Sequence, residues 1–340
     1  MKKISLFLCI LMVLCTSCHK KEKVTTPKLT KEQEAKAKHV EVNIIRYEQA
    51  LFGLDADHLS DGVAKLYGKF PENLVAKDSW KNKEMMAGLK GYITDPTIKE
   101  LYKEVQKQFP NTDAINKELN DAFKIYLTHF PEAVVPTFYT LIPGMDFSMP
   151  SVFGSEDNLF ISLDMYLGKD YKYYAYAGMP KFIAARCDKK YIATDCFLQG
   201  LCYKHLPDKT LITVLDNMID EGKKLFFTQT MFPDKEPKDI IKYSDEQYKW
   251  ANQHQAAVWQ YLIEKNILYS KDEDKIRRMV DETPFTRDFG NNSPGRMGCY
   301  IGWKIVQSYM KNHPETTLAE LMSNTQSQSI LNEAGYKPAF

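Results

Sequence analysis

A predominantly helical α+β fold, with a small sheet followed by a helical C-terminal half, is what the residue pattern of this chain predicts. Two observations carry it. Runs of β-branched and aromatic residues are confined to a few short stretches, chiefly Val135–Ile142 and Asn158–Leu163. From Pro180 onward, apolar residues recur instead at three- and four-residue spacing, the period of a helix. No repeat and no linker follow Val40, so residues 40–340 are expected to form one globular domain.

Residues 1–17 read as a lipoprotein signal peptide. Lys2 and Lys3 precede an apolar run, Ile4–Leu14, that is too short for a permanent membrane span. Leu14-Cys15-Thr16-Ser17-Cys18 places small residues before a cysteine, as in a bacterial lipobox cut before Cys18 and acylated there. Residues 18–39 are polar, rich in Lys and Glu, and read as a tether. The acyl chains on Cys18 would then be the membrane anchor.

Val40–Ile44 alternates apolar and polar residues and predicts a short strand, with a helical turn over Arg46–Phe52. Helical patterns follow over about 57–70, 83–92, 96–109 and 112–130. Asp95-Pro96 is a cap followed by a proline at the first helical position. Two strands come next, Val135–Ile142 and Asn158–Leu163, then a tyrosine-rich loop at Tyr171–Tyr176. The C-terminal half predicts helices over 180–186, 189–204, 209–231, 245–265, 271–282, 294–311, 317–323 and 326–333.

The helix over 294–311 is central. Ser293 and Pro294 suit its N-cap and first position. Ile301, Ile305 and Tyr309 mark a buried face. Gly298 and Gly302 lie one turn apart, and each costs about 1 kcal/mol in a helix interior, so another backbone is expected to pack there. Arg296 falls in the first turn, where the helix dipole disfavours a cation, and so calls for a carboxylate partner or a ligand.

The formal charge is +1, and −1 without Lys2 and Lys3, which gives no electrostatic case for nucleic acid. A hydrophobic fraction of 44% suits a sizeable core. Beyond Cys18 the cysteines are Cys187, Cys196, Cys202 and Cys299; an even count in an exported chain permits a bridge among the first three. Their spacing matches no zinc ribbon.

Several segments resemble the gliding-motility-associated lipoproteins of the GldB type. They are Ile45-Arg46-Tyr47 before Leu51-Phe52, Leu163–Gly168, Met218–Leu225, Ser293–Arg296, Ile301–Val306 and Tyr336-Lys337-Pro338. The resemblance implies a lipid-anchored cell-envelope protein, with gliding motility as the associated process. Lys20, Lys21 and Lys23 stand where surface-exported lipoproteins of such bacteria carry acidic residues. By that analogy the protein is held at the outer membrane and faces the periplasm. A second, weaker resemblance is to predicted zinc-dependent proteases, which carry H-E-x-x-H on one helix and Glu-Gly on the next. Glu221-Gly222 fits the second element, but Thr194-Asp195-Cys196-Phe197-Leu198 supplies neither histidine. The scaffold expected on this resemblance is a degenerate metalloprotease.

The chemistry is correspondingly sparse. His205 could be a metal ligand, but a lone histidine at a helix end reads better as a dipole partner. Asp195 and Glu221 could form an acid–base pair, or salt bridges to Arg296 or Arg186. Asp195, Glu221, Arg296 and Tyr300 are the candidate residues of a groove or a structural ion network. Trp250, Trp259, Trp303 and Tyr171–Tyr176 read as core and rim aromatics. No nucleophile elbow, phosphate loop or dinucleotide fingerprint appears, so no cofactor is implied. Two function classes follow. One is a non-catalytic envelope lipoprotein that binds a protein, peptide or glycan; the other is an envelope hydrolase or peptidase. The missing histidine pair favours the first.

Overall fold

Four short strands form one sheet in the order β1 (Ile44–Arg46), β2 (Thr137–Leu141), β4 (Asn158–Ser162), β3 (Val152–Gly154). β1, β2 and β4 are parallel, and β3 runs antiparallel to β4 at the far edge. The computed structural model describes residues 40–155 and 157–339, with Lys31 and Ala35. The expected signal, Cys18 and most of the expected tether lie outside the described residues.

The helices of the first half are α1 (Tyr47–Phe52), α2 (Leu59–Leu66), α3 (Lys83–Thr94), α4 (Pro96–Gln108) and α5 (Asp113–His129). Asn82 and Asp95 cap α3 and α4 through their side chains. The first strand starts later than its alternation predicts. Asn120 and Asn116 on α5 accept the Val42 and Ile44 amides, so a side chain replaces the ladder until β1 pairs with β2. One face of the sheet turns Phe138, Leu159 and Ile161 towards α5, where Phe123 and Phe138 meet edge to face at 5.9 Å. The other face carries Tyr139 and Phe160, stacked at 5.8 Å. β3 had no sequence signature: three residues give too little alternation to read.

The tyrosine-rich segment is a short helix, α6 (Lys172–Tyr176), not a loop. α7 (Lys181–Ala184) follows, and then α8 (Ile192–Asp195), which continues as a π turn over Cys196–Leu201 and a 3₁₀ turn over Cys202–His205. The rest is α9 (Val214–Met231), α10 (Pro237–Ile241), α11 (Asp245–Glu264), α12 (Glu273–Val280), α13 (Met297–Asn312), α14 (Leu318–Ser323) and α15 (Ser327–Ala334). α10 escaped the sequence reading because it spans a single turn. α9 is stopped at Val214 by a reciprocal capping box between Thr213 and Asp216, which shortens the helix expected from Lys209.

α13 and α9 form the centre of the molecule. The backbone contact expected at the glycines is present: a Cβ on Gly302 would lie 1.8 Å from the Met218 carbonyl oxygen of α9. Its N-terminus differs from expectation. Ser293 and Pro294 are not the cap and first residue; the helix begins at Met297, and Arg296 is the N-cap residue at φ 61°. Thr286 does the capping instead. Its Oγ1 accepts the Met297 amide at 3.2 Å and donates to the Pro294 carbonyl at 2.9 Å. The four cysteines are all free and buried, so the bridge permitted among Cys187, Cys196 and Cys202 is not formed.

Candidate functional site

A cleft of about 310 Å³ opens beside α8, α9 and the start of α13. Its wall holds Asp195, Glu221, Lys224, Lys242, Arg186, Glu282 and Arg296, and its rim holds Phe147, Met149 and Tyr203. A wider depression lies at Val40, Leu127 and Val135, where the chain enters from the undescribed N-terminal residues.

The charged wall is built from six elements. Arg296 Nη2 donates to Glu221 Oε2 at 3.1 Å, and Nη1 pairs with Glu282 Oε1 at 3.2 Å. Arg186, just after α7, pairs with the other oxygen of Glu282. Lys224, one helical turn after Glu221, reaches both Glu221 and Asp220 at 2.8 Å. Of the partners considered for Glu221, Arg296 is used and Arg186 is not, and Lys224 takes the other carboxylate oxygen. Asp195 goes elsewhere: Lys242 pairs with its Oδ1, and the Tyr166 hydroxyl donates to Oδ2 at 2.8 Å. Ser151 joins Tyr166 at 2.7 Å, and Gln199 Oε1 accepts the Val152 amide at 3.2 Å, which ties the cleft to strand β3.

Electrostatics fixes the charge states. Burial pushes the Glu221 carboxyl up, but Lys224 and then Arg296 outweigh it and leave it below the usual carboxylate range. Glu282 behaves alike under Arg296 and Arg186. Burial opposes the Arg296 charge, and Glu282 foremost restores it, so the guanidinium stays protonated. Burial also pushes the Cys187 thiol at the cleft up to about 11, away from thiolate chemistry.

Of the four expected site residues, three line the cleft and one does not. Tyr300 is fully buried between α13 and α11, where its hydroxyl donates to Asn252 at 2.8 Å. Arg186, expected to pair with Asp195 or Glu221, pairs instead with Glu282. Glu282 and Lys242 were not found from sequence. They come from the loops after α12 and α10, where no periodicity marks a residue as inward-facing. Lys242 does carry a structural signature, a φ of 59°, but nothing in the sequence announces it.

The family model described as gliding motility protein GldB matches residues 28–338. The chain belongs to the GldB family. No curated protein and no solved structure matches it, and the metalloprotease-like scaffold expected from its layout has no matched fold behind it. Three segments that carry the GldB resemblance hold up the cleft; Met218–Leu225 supplies Glu221 and Lys224. Ser293–Arg296 delivers the central guanidinium. In Leu163–Gly168, Asp164 is fully buried, and its Oδ2 accepts the Gly144 and Met145 amides at 2.9 and 2.6 Å. That turn leads into the rim residues Phe147 and Met149. Burial pushes the Asp164 carboxyl up to about 6.

His205 in this GldB family chain closes the last turn of its 3₁₀ segment and packs among aromatic side chains. Its ring stacks on Phe130 at 3.7 Å and its Nε2 shares a hydrogen bond with the Tyr126 hydroxyl at 2.8 Å. Among the described residues, no group of three or more His, Cys, Asp or Glu is arranged to hold a metal ion. Burial pushes His205 and His129 from 6.5 down to about 4. A depressed folded-state value means that their contribution is present above 6.5 and lost as pH falls towards 4. We expect the urea midpoint to fall across that window by about 1–3 kcal/mol of stability, allowing for partial exposure. His205→Phe should reduce that loss; an unchanged pH dependence in the variant would contradict it. Asp164 works in the opposite sense, since its raised value gives stability below 3.8 that is lost as pH rises through about 6.

Proposed function

We propose that this GldB family protein is a non-catalytic, lipid-anchored envelope protein that binds a partner at the cleft. The state of its carboxylates carries this reading. A general acid or base needs a pKa near the working pH. Glu221 and Glu282 are instead held ionised by Lys224, Arg296 and Arg186, and Asp195 is occupied by Lys242 and Tyr166. Such a wall recognises charge and shape rather than moving protons. Its apolar rim of Phe147, Met149 and Tyr203 suits contact with a second molecule.

Anchoring in this proposal runs through Cys18 after removal of residues 1–17. Residues 18–39 act as the tether, and residues 40–340 are the domain displayed on the periplasmic side of the outer membrane. No helix among the described residues is long and apolar enough to cross a membrane. Cys18→Ala should abolish acyl labelling and release the protein from the membrane fraction; retained acylation would defeat the anchor.

Binding is tested with a photo-crosslinking residue at Met149 or Tyr203, in cells, against a control at Ile263, which is exposed but does not line the cleft. Discrete adducts from both rim positions and none from the control are expected. Equal labelling from all three would count against the cleft. Chelator-sensitive cleavage of casein by the purified chain would overturn the non-catalytic reading in favour of an envelope peptidase.

A further inference from the structure

The charges of the cleft are not equally accessible. Arg296 and Lys224 each keep 9% of their side chain exposed, Lys242 10% and Arg186 16%, and each is held on a carboxylate. Glu221 and Glu282 keep 24% and 40%. Cations outnumber carboxylates in the wall, and Asp195, at 1%, is buried deeper than any of them; Glu221 and Glu282 are nevertheless more exposed than all four cations, whose donors are already aimed at protein oxygens. A molecule entering the cleft therefore meets carboxylate oxygens first. Each Glu221 and Glu282 oxygen makes one ion pair within the protein, and a carboxylate offers about four acceptor sites, so acceptor capacity remains at the surface.

Met149 and Phe147 are apolar and partly exposed. The exposed Tyr203 ring already has the Lys224 ammonium 4.7 Å from its centroid, so it stands within reach of cationic groups at the cleft. A cavity of about 310 Å³ lies at the small end of ligand sites, which run from about 300 to 1,000 Å³. It has room for a side chain.

We propose that the cleft takes a single lysine or arginine side chain, presented by a peptide segment of an envelope partner. Its cationic head would be received by Glu221 and Glu282, and its apolar stem would lie along Met149 and Phe147. This rests on the reading of the cleft as a binding site and names what that site selects.

The test uses the full detergent-solubilised chain and dye-labelled pentapeptides, Ala-Ala-Xaa-Ala-Ala, followed by fluorescence anisotropy. Peptides with lysine or arginine at the centre should bind about tenfold or more tighter than the norleucine peptide, and the glutamate peptide weakest of all. Glu282→Gln should weaken the lysine peptide about fivefold or more, measured below the variant's own melting transition, because this carboxylate is the most exposed of the wall. Tyr203→Ala should weaken it as well. Norleucine binding equal to lysine, tighter binding of the glutamate peptide, or no effect of Glu282→Gln would each overturn the proposal. So would cadaverine competing as tightly as the lysine peptide, since the peptide would then contribute nothing. Rim crosslinks that persist without any lysine preference would sink this inference alone; loss of both would sink the binding reading with it.

Discussion

Gly302→Ala is expected to cost more than about 3 kcal/mol, enough to prevent folding if the domain has ordinary marginal stability. The added Cβ would sit 1.8 Å from the Met218 carbonyl oxygen and 2.5 Å from its carbon. Those atoms are backbone within α9, so no side chain can rotate away. Across the same contact, a Cβ on Gly222 would lie 2.4 Å from the Gly302 carbonyl carbon. The two helices must therefore separate, and buried Met218, Ile301, Ile305 and Leu225 would lose their packing with them. Gly88→Ala is the control. Nothing lies within 4 Å of its added Cβ on the exposed face of α3, and it should raise stability by about 0.5–1 kcal/mol. Urea denaturation of both variants checks the pair. A Gly302→Ala midpoint within error of wild type would mean that the helices do not approach as described.

Arg296→Ala is expected to destabilise the domain by about 3 kcal/mol, the lower end of the range for stranding a buried charge. Glu221 would lose its guanidinium and keep only Lys224. Glu282 would keep Arg186, and its 40% exposure lets water soften the loss, so most of the cost falls on Glu221. The backbone at Arg296 adds a complication, because φ is 61° and an alanine there is strained as well. Arg296→Gly removes the charge without that strain, and Arg296→Lys keeps the charge without the planar fork. The order expected from chemical denaturation is Lys mildest, Gly intermediate and Ala worst. A midpoint unmoved in all three would show that the network contributes nothing to stability.

The long helices were legible because each advertises itself locally. Asp95-Pro96 set the start of α4 to the residue. The short elements were not. β3, α6 and α10 are too brief for a period to repeat, and their conformation is imposed by neighbours. The same limit explains the misplaced start of α13. Ser293-Pro294 is a sound local cap signal, but Thr286, eleven residues before Met297, reaches the Met297 amide first. A local preference of about 1 kcal/mol yields readily to a tertiary hydrogen bond of similar size.

By itself the sequence determined the predominantly helical α+β class, the family, the glycine contact of the central helix and the need of Arg296 for a carboxylate or a ligand. Each is a statement about one residue's own cost: a glycine in a helix, a cation at a helix N-terminus, a periodic apolar face. Only the tertiary structure decided which carboxylates answer that need. Glu221 and Glu282 stand 75 and 14 positions from Arg296, and Asp195 turns instead to Lys242. Ion pairing is set by distance and burial, and chain spacing carries neither once several helices converge on one cleft.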